Sequence, residues 1–294
     1  MLLGAILLWA LNITVTRYVV SHGFRPLAYA TTRYFTATVL FWGFTARRER
    51  SFRVALSDMK LVGLAALFIF ANQVSFVTSV HLTNASTVGL VLGTTPIFVG
   101  ILATVFGLER LRRPFWVAAV VSFAGVGLIA AGANGGISGD LLGDLLAVST
   151  AGTWACYSVA IAPLMHRYSP FRISALVLAL GWVPLALVSI PQLERQSLHG
   201  FGWTMGLAFG FAVVGPLFLT NILWFTAIAR VGAARATLFA NLEPLFTVLF
   251  AVALLSEQLT GWEIAGGVAI MLGIVVERYG HRLPSGTTAV PLGE

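Results

Sequence analysis

A single acid lies deep inside a long apolar stretch in the second half of the chain. Glu243 and Pro244 stand near the middle of ATLFANLEPLFTVLFAVALL, a run long enough to cross a bilayer as a helix. An acid about 12 Å below a membrane surface costs about 2.5–3.5 kcal/mol even on a lenient insertion scale, so it must face a partner or water. Pro244 removes a backbone donor, which favours a kink. The pair predicts a solute or proton site. The alternatives are a structural ion pair with Arg17 or Arg33, or a carboxyl that solvates the kink.

Arg33 is the basic residue that the same argument singles out. It lies about a turn and a half inside another apolar stretch, next to Tyr34. Two interpretations are open: an ion pair with Glu243, which we favour slightly, or a contact with the carboxylate of a solute. Arg17 lies near the end of its own stretch, from where a long side chain reaches the interface.

Uncharged polar and aromatic residues occupy similar depths in the other apolar stretches. Such groups either hydrogen-bond between helices or line a solute cavity. The predicted substrate-binding or cavity-lining residues are Trp9, Asn12, Arg33, Asn72, Gln73, Thr95, Trp154, Tyr157, Asn241 and Glu243. Hinges or kinks are predicted at Pro96, Gly215, Pro216 and Pro244. Gly202, Gly206 and Gly210 recur every four residues and predict close helix packing inside the protein.

The elements that must position these residues are membrane helices. The chain is 58% hydrophobic and only 10% charged, far from the mixture found in soluble domains. Its apolar stretches are near 20 residues long and do not alternate, which indicates helices rather than barrel strands. Ten spans are predicted: 2–20, 27–46, 60–80, 85–106, 114–131, 141–165, 171–190, 202–229, 233–255 and 262–276.

The formal net charge of +7 does not indicate nucleic-acid binding, because the positions of the basic residues follow the membrane topology. One set of junctions carries most of the basic residues: Arg47, Arg48, Arg50, Arg53, Lys60, Arg110, Arg112, Arg113, Arg167, Arg172, Arg230, Arg235, Arg278 and Arg282. The opposite junctions carry only Arg25 and Arg195. The positive-inside rule then places both termini in the cytoplasm. The expected location is the plasma (bacterial inner) membrane, as a multi-pass protein.

Enzymatic chemistry is disfavoured by the distribution of reactive residues. All five histidines lie at or near span ends, and Glu243 is the one deep acid. The lone Cys156 excludes an intramolecular disulfide and a multi-cysteine metal site. A Gly-rich phosphate loop of the Walker type is absent from the sequence. We therefore expect no enzyme activity, no cofactor and no metal.

The two halves of the chain repeat one another. Residues 76–128 align without a gap on residues 224–276, with 10 of 53 positions identical. The matches include Pro96 with Pro244 and Glu109 with Glu257, which shared apolar composition does not explain. Trp9 and Trp154 place the earlier spans in register. Because five crossings per half are an odd number, the second copy is inverted, as in many secondary transporters.

These motifs resemble the drug/metabolite transporter superfamily, EamA type. The resemblance is carried by LLWALNITVTRYVV, by PLAYATTRYF with Arg33 at the family's arginine of the second span, by TPIFVGILATVFGLERL, and by LEPLFTVLFAVALLSEQL. It covers nearly the whole chain and implies ten helices in two five-helix repeats. It also implies transport of small polar or amphipathic solutes, often outward. The second half departs from this pattern in lacking an obvious counterpart of Arg33.

The predicted architecture is an all-α polytopic membrane protein with ten transmembrane helices in two inverted five-helix repeats. The first repeat is placed at 1–132, the second at 133–282 and a disordered tail at 283–294. The predicted function is a secondary-active or facilitative transporter that exports small metabolites such as amino acids by alternating access. Export of amphipathic cations is the first alternative and a channel-like facilitator the second. Expected partners are a small-molecule substrate and the bilayer; proton coupling is left open, and a monomer is favoured over a dimer.

Overall fold

The computed structural model of the chain describes residues 1–82, 88, 91–132, 141–197, 201–255 and 260–280. The predicted tail 283–294, the first residues of the predicted fourth span and the predicted placement of the Arg17 side chain lie outside the described residues. Within the ranges given, the chain is almost entirely helical and contains no strand. The prediction of an all-α protein is therefore confirmed.

The helices coincide with the predicted spans wherever a span is described. They are α1 (Leu2–Ser21), α2 (Pro26–Arg48), α3 (Leu56–Leu82), α4 (Thr95–Val105), α5 (Arg113–Gly132), α6 (Leu141–Ile161), α7 (Pro170–Glu194), α8 (Trp203–Ala212), α9 (Thr220–Val231), α10 (Ala233–Ala240), α11 (Leu242–Leu255) and α12 (Gly261–Gly280). A 3-10 turn, Leu164–His166, follows α6, and a π-helical segment, Val213–Leu219, joins α8 to α9. Proline begins α2 and α7, where its missing N–H removes no helical hydrogen bond.

Among the residues that the structure describes, six helical segments are long and apolar enough to cross a membrane. They are Leu2–Ser21, Leu56–Leu82, Arg113–Ala131, Leu141–His166, Pro170–Glu194 and Trp203–Val231. The chain is thus a polytopic membrane protein. The count of ten crossings stays a prediction, because α4 is short and the predicted ninth span is divided between α10 and α11.

Corresponding helices of the two halves pack against each other and run antiparallel. Near one end of the α2–α7 pair, the Leu27 N–H donates to Gln192 Oε1 at 2.8 Å. Near the other end, Trp42 Nε1 donates to the Ala175 carbonyl at 3.0 Å. These helices contain the second and seventh predicted spans, which correspond in the repeat. Their opposite directions confirm that the two halves are inverted.

Helices α5 and α12, again corresponding members of the two halves, also pack closely together. A Cβ added at Gly125 would lie 2.6 Å from the Gly266 carbonyl oxygen, and one at Gly273 would lie 2.8 Å from the Ala118 carbonyl oxygen. The backbones therefore touch over two turns, as small residues allow in membrane helices. Because residues early in α5 meet residues late in α12, this pair is antiparallel too.

The prediction that Gly202, Gly206 and Gly210 pack inside the protein is wrong. All three are exposed, and a Cβ at Gly206 or Gly210 would meet nothing within 4 Å. A spacing of four places small residues on one face of a helix, but it does not determine which way that face points. The close contacts occur at glycines for which the sequence analysis made no prediction, on α5 and α12.

We expect Gly125→Ala to destabilise the protein by about 1–3 kcal/mol, because the new methyl group must displace the Gly266 backbone. Thermal unfolding in detergent measures the loss. Gly63→Ala is the matched control, since a Cβ at Gly63 meets nothing within 4 Å. Equal melting temperatures for the two variants would contradict the close packing of α5 on α12.

Ion pairs join two junctions at the end of the bundle that carries most of the arginines, here called the arginine-rich end. Arg167 Nη1 lies 2.8 Å from Asp58 Oδ1, and Arg172 Nη2 lies 3.0 Å from Glu49 Oε2. The Tyr168 hydroxyl also donates to Asp58 Oδ2 at 2.7 Å. The α2–α3 junction of the first half is thereby fixed to the α6–α7 junction.

Candidate functional site

Two interrupted helices meet at the centre of the protein. Helix α10 ends at Ala240, and α11 begins at Leu242 with Glu243 in its first turn. In the first half, residues 93–94 form a turn immediately before α4 begins at Thr95. Asn241 Nδ2 donates to the Gly93 carbonyl at 3.4 Å, so the two interruptions are in direct contact.

The repeat explains why the interruptions coincide. Gly93, Thr95 and Pro96 each stand 148 residues before Asn241, Glu243 and Pro244, respectively. Broken helices at corresponding places in two inverted halves are a mark of the binding site in secondary transporters, because their ends offer unpaired backbone groups. The halves differ in one respect here: the second half carries an acid where the first carries Thr95.

A cavity of about 310 Å³ lies at this junction. It is lined by all ten residues predicted to bind substrate or line a cavity: Trp9, Asn12, Arg33, Asn72, Gln73, Thr95, Trp154, Tyr157, Asn241 and Glu243. Pro216 and Pro244 line it as well, whereas Pro96 and Gly215 do not contribute to its lining. Ten residues that are dispersed over six predicted spans thus surround one space.

Arg33 is held in the cavity wall by amide groups. Its side chain is almost fully buried, with Nη1 donating to Asn12 Oδ1 at 3.3 Å and Nη2 donating to Gln73 Oε1 at 3.2 Å. Its guanidinium carbon also lies 5.0 Å from the centroid of the Tyr29 ring. The ion pair with Glu243, which the sequence analysis favoured, is not among the contacts of this guanidinium in the described part of the chain.

A hydrogen-bonded relay orients these amides. Gln73 Nε2 donates to Asn72 Oδ1 at 3.1 Å, and Asn72 Nδ2 donates to the Thr150 carbonyl at 2.9 Å. The amide oxygen of Gln73 is thereby directed toward Arg33. The Arg33 Nε atom is buried and has no hydrogen-bond partner among the described residues. A buried N–H of a charged group is costly to leave unsatisfied.

Aromatic rings form the wall of the cavity toward the arginine-rich end. Trp9 and Trp154 line the cavity with their ring centroids 5.4 Å apart, and the fully buried Trp224, which is not part of the lining, packs on Trp9 at 4.8 Å. Trp154 also lies 5.4 Å from Tyr157. Trp154 and Trp224 each precede the last residue of their helix by seven positions, which places this wall about 10 Å inside the arginine-rich end. The wall can contact an apolar or aromatic part of a solute.

The predicted kink at Gly215 and Pro216 falls within the π-helical segment. There the Thr220 N–H donates to the Gly215 carbonyl, five residues back, and Asn221 Nδ2 donates to the Leu217 carbonyl at 2.7 Å. The proline and the wider turn release backbone carbonyls that a side-chain amide then satisfies. The interruption brings Pro216 to the cavity wall.

The comparison with known families agrees with this architecture. The EamA-like transporter family matches residues 1–131 and again residues 141–277, which together make up most of the chain. The chain belongs to the EamA-like transporter family. It is therefore a membrane transporter rather than an enzyme, and a small-molecule substrate and a membrane environment follow from the family.

Similar proteins cover this EamA-like chain nearly end to end. An uncharacterized transporter of Archaeoglobus fulgidus is 26% identical over 91% of this chain and 94% of its own. The uncharacterized transporter YyaM of Bacillus subtilis is 23% identical over 98% and 95%. A probable amino-acid metabolite efflux pump of Salmonella typhimurium is 25% identical over 95% and 93%. A crystal structure of another protein shares the fold, with a TM-score of 0.82 over 97% of both chains at 20% identity.

Several residues of the EamA-like cavity were not among those predicted. They are Tyr34, Ile69, Phe76, Leu92, Gly93, Val126, Ile129, Ala130, Thr150, Leu178, Leu217, Thr237 and Ala240. Most are apolar, and an apolar residue on a membrane helix gives no sign of whether it faces lipid or solute. Phe76 is the exception: it stands 148 residues before Trp224, so the repeat could have placed it near the aromatic wall.

Proposed function

We propose that this EamA-like transporter exports small zwitterionic metabolites, amino acids foremost, by alternating access across the bacterial inner membrane, with both termini in the cytoplasm. The observation that carries the proposal is that a basic and an acidic side chain line one cavity. Arg33, with a buried N–H that lacks a described partner, and Glu243 line the same space of about 310 Å³. A zwitterion brings a carboxylate for the first and an ammonium for the second.

Charge balance favours a zwitterion over an ion of one sign. A simple anion leaves Glu243 facing it, and a simple cation leaves Arg33 facing it, in a buried space where like charges repel strongly. The tryptophan wall suits an aliphatic or aromatic side chain on the same molecule. The Salmonella relative named a probable amino-acid metabolite efflux pump supports the same substrate class.

Alternating access is supported by the inverted halves. Two similar halves of opposite direction can exchange conformations, which gives an inward-open and an outward-open state of comparable energy. The π-helical segment with Gly215 and Pro216, and the interruptions before Pro96 and Pro244, are the places where we propose that the helices bend. Because each chain encloses its own cavity, we take the monomer as the transporting unit.

Export of amphipathic cations is the second candidate. It is favoured by Glu243, Trp9 and Trp154, which line the same cavity, since a cation binds to a carboxylate and to the faces of aromatic rings. On this alternative Arg33 serves only to bind Asn12 and Gln73.

Counterflow into proteoliposomes loaded with solute tests the proposal. The panel pairs each amino acid with its decarboxylated amine and its deaminated acid, which each lack one charge. We expect saturable counterflow of amino acids, at least tenfold above either partner. Counterflow of amines alone would favour the cation alternative, and ionic currents at channel rates would overturn the carrier mechanism altogether.

A further inference from the structure

Five arginines at one corner of the arginine-rich end are not used in the transport mechanism proposed above. We define this arginine corner as Arg110, Arg112, Arg113, Arg230 and Arg278. They come from three separate places in the chain: the α4–α5 junction, the end of α9 and the end of α12. The contacts of the structure bring these three places together.

Glu109 joins the first two places. Its Oε1 accepts a hydrogen bond from the Ala234 N–H at 3.0 Å, in the first turn of α10. Gly232, whose φ of +89° an L side chain rarely adopts, lies so near that an added Cβ would be 2.6 Å from Glu109 Oε2. The junction that carries Arg110 and Arg112 is therefore packed against the junction that carries Arg230.

The end of α12 joins the same corner through two further contacts. Arg235 Nε lies 2.9 Å from Glu277 Oε1, which connects α10 to the last turns of α12. The antiparallel packing of α5 on α12 also brings Arg113, at the start of α5, to the level of Arg278. All five arginines thus stand on adjoining helix ends.

The corner carries an unbalanced positive charge. All five arginines are exposed, and none has an acidic partner among the described residues. The two acids nearest to them, Glu109 and Glu277, are engaged with the Ala234 N–H and with Arg235. At the α2–α3 and α6–α7 junctions, by contrast, Asp58 and Glu49 neutralise two arginines.

Apolar side chains border the corner and face outward. Val105 is 72% exposed and Phe106 is 66% exposed at the end of α4, and Val231 and Tyr279 are exposed at the ends of α9 and α12. A soluble polyanion would match the charge of the corner but not this apolar border. A phospholipid matches both, since its phosphate and its acyl chains lie at these two levels of a bilayer.

We propose that the arginine corner binds an anionic phospholipid, with the headgroup phosphate on the arginine side chains and the acyl chains along Val105, Phe106 and Val231. The lipid then bridges the ends of α4, α9 and α12 and stabilises the folded state by binding it preferentially. Charge alone does not select one headgroup, so phosphatidylglycerol and cardiolipin are both members of this class.

Thermal unfolding of the full chain in neutral detergent tests the proposal. Phosphatidylglycerol, phosphatidylcholine with the same acyl chains, and inorganic phosphate are titrated separately. We expect phosphatidylglycerol alone to raise the melting temperature. The triple variant Arg110→Gln, Arg112→Gln, Arg113→Gln should bind phosphatidylglycerol at least tenfold more weakly. The matched triple variant Arg47→Gln, Arg48→Gln, Arg53→Gln removes the same charge at another junction and should bind it normally.

Several outcomes overturn the proposal. Equal weakening in both triple variants would mean that the lipid responds to the diffuse charge of the whole arginine-rich end. A full response to inorganic phosphate would indicate a simple anion site, and an equal response to phosphatidylcholine would remove the role of charge. Native mass spectrometry of the wild type and both variants counts bound phosphatidylglycerol directly, so the result does not depend on unfolding behaviour.

Discussion

Replacing Arg33 with glutamine should lower counterflow of amino acids by at least tenfold while affecting their decarboxylated amines much less. The variant removes the charged donor proposed to hold the solute carboxylate, and a hydrogen bond to a charged group contributes about 1.5–3 kcal/mol, or roughly tenfold to a hundredfold in affinity. Counterflow of an amino acid and of its matched amine, measured in the same proteoliposome preparation, gives the ratio directly.

Two controls separate a contact with solute from a structural role of Arg33. Arg33→Lys keeps the charge but cannot reach Asn12 and Gln73 together, so we expect intermediate activity. Arg47→Gln, at an exposed position outside the cavity, should transport normally. If Arg33→Gln slowed amino acids and amines equally, Arg33 would be holding the cavity together, and the zwitterion proposal would fail.

Replacing Glu243 with glutamine should abolish the response of transport to a pH gradient. A carboxyl can take up and release a proton in each cycle, whereas an amide of the same shape cannot. At saturating solute, counterflow should persist, because the amide oxygen still accepts a hydrogen bond from an ammonium group. The KM should rise at least tenfold, since a charged partner is lost. Uptake with and without an imposed gradient measures both effects.

Glu194→Gln is the matched control for this prediction. Glu194 is exposed at the end of α7, so losing its charge should leave transport and its pH dependence unchanged. Retention of full gradient dependence by Glu243→Gln would rule out proton coupling through this residue. The gradient response would then have to pass through a group other than Glu243.

The two halves of the chain build the same framework, and we propose that the residues at which they differ recognise the solute. Thr95 stands where the second half has Glu243, and Arg33 stands 145 residues before Leu178, which also lines the cavity. A symmetric pair of acids or of arginines would place like charges close together in a buried space. Arg33 and Glu243 instead line the cavity together, which is why we propose a solute that carries a charge of each sign.

The sequence alone determined the fold class and the depth of the polar residues. Apolar runs of bilayer length leave no alternative to helices in lipid, and the 148-residue offset fixes which helices correspond. The same reasoning selected Trp9, Asn72 and Glu243, since a polar or charged group in mid-membrane must face the protein interior. These inferences depend only on the free-energy cost of placing polar groups in hydrocarbon.

Only the tertiary structure decided which groups touch. The sequence analysis favoured Glu243 as the partner of Arg33, yet the guanidinium lies between Asn12 and Gln73. The sequence also placed Gly202, Gly206 and Gly210 inside the protein, whereas the helix backbones approach closely at glycines of α5 and α12. The depth of a side chain along its helix is encoded locally by hydropathy. The rotation of each helix about its axis and its choice of neighbouring helix result from the packing of all the helices together. For that reason the level of each side chain in the membrane could be predicted from the sequence, whereas its direction was decided by the assembled bundle.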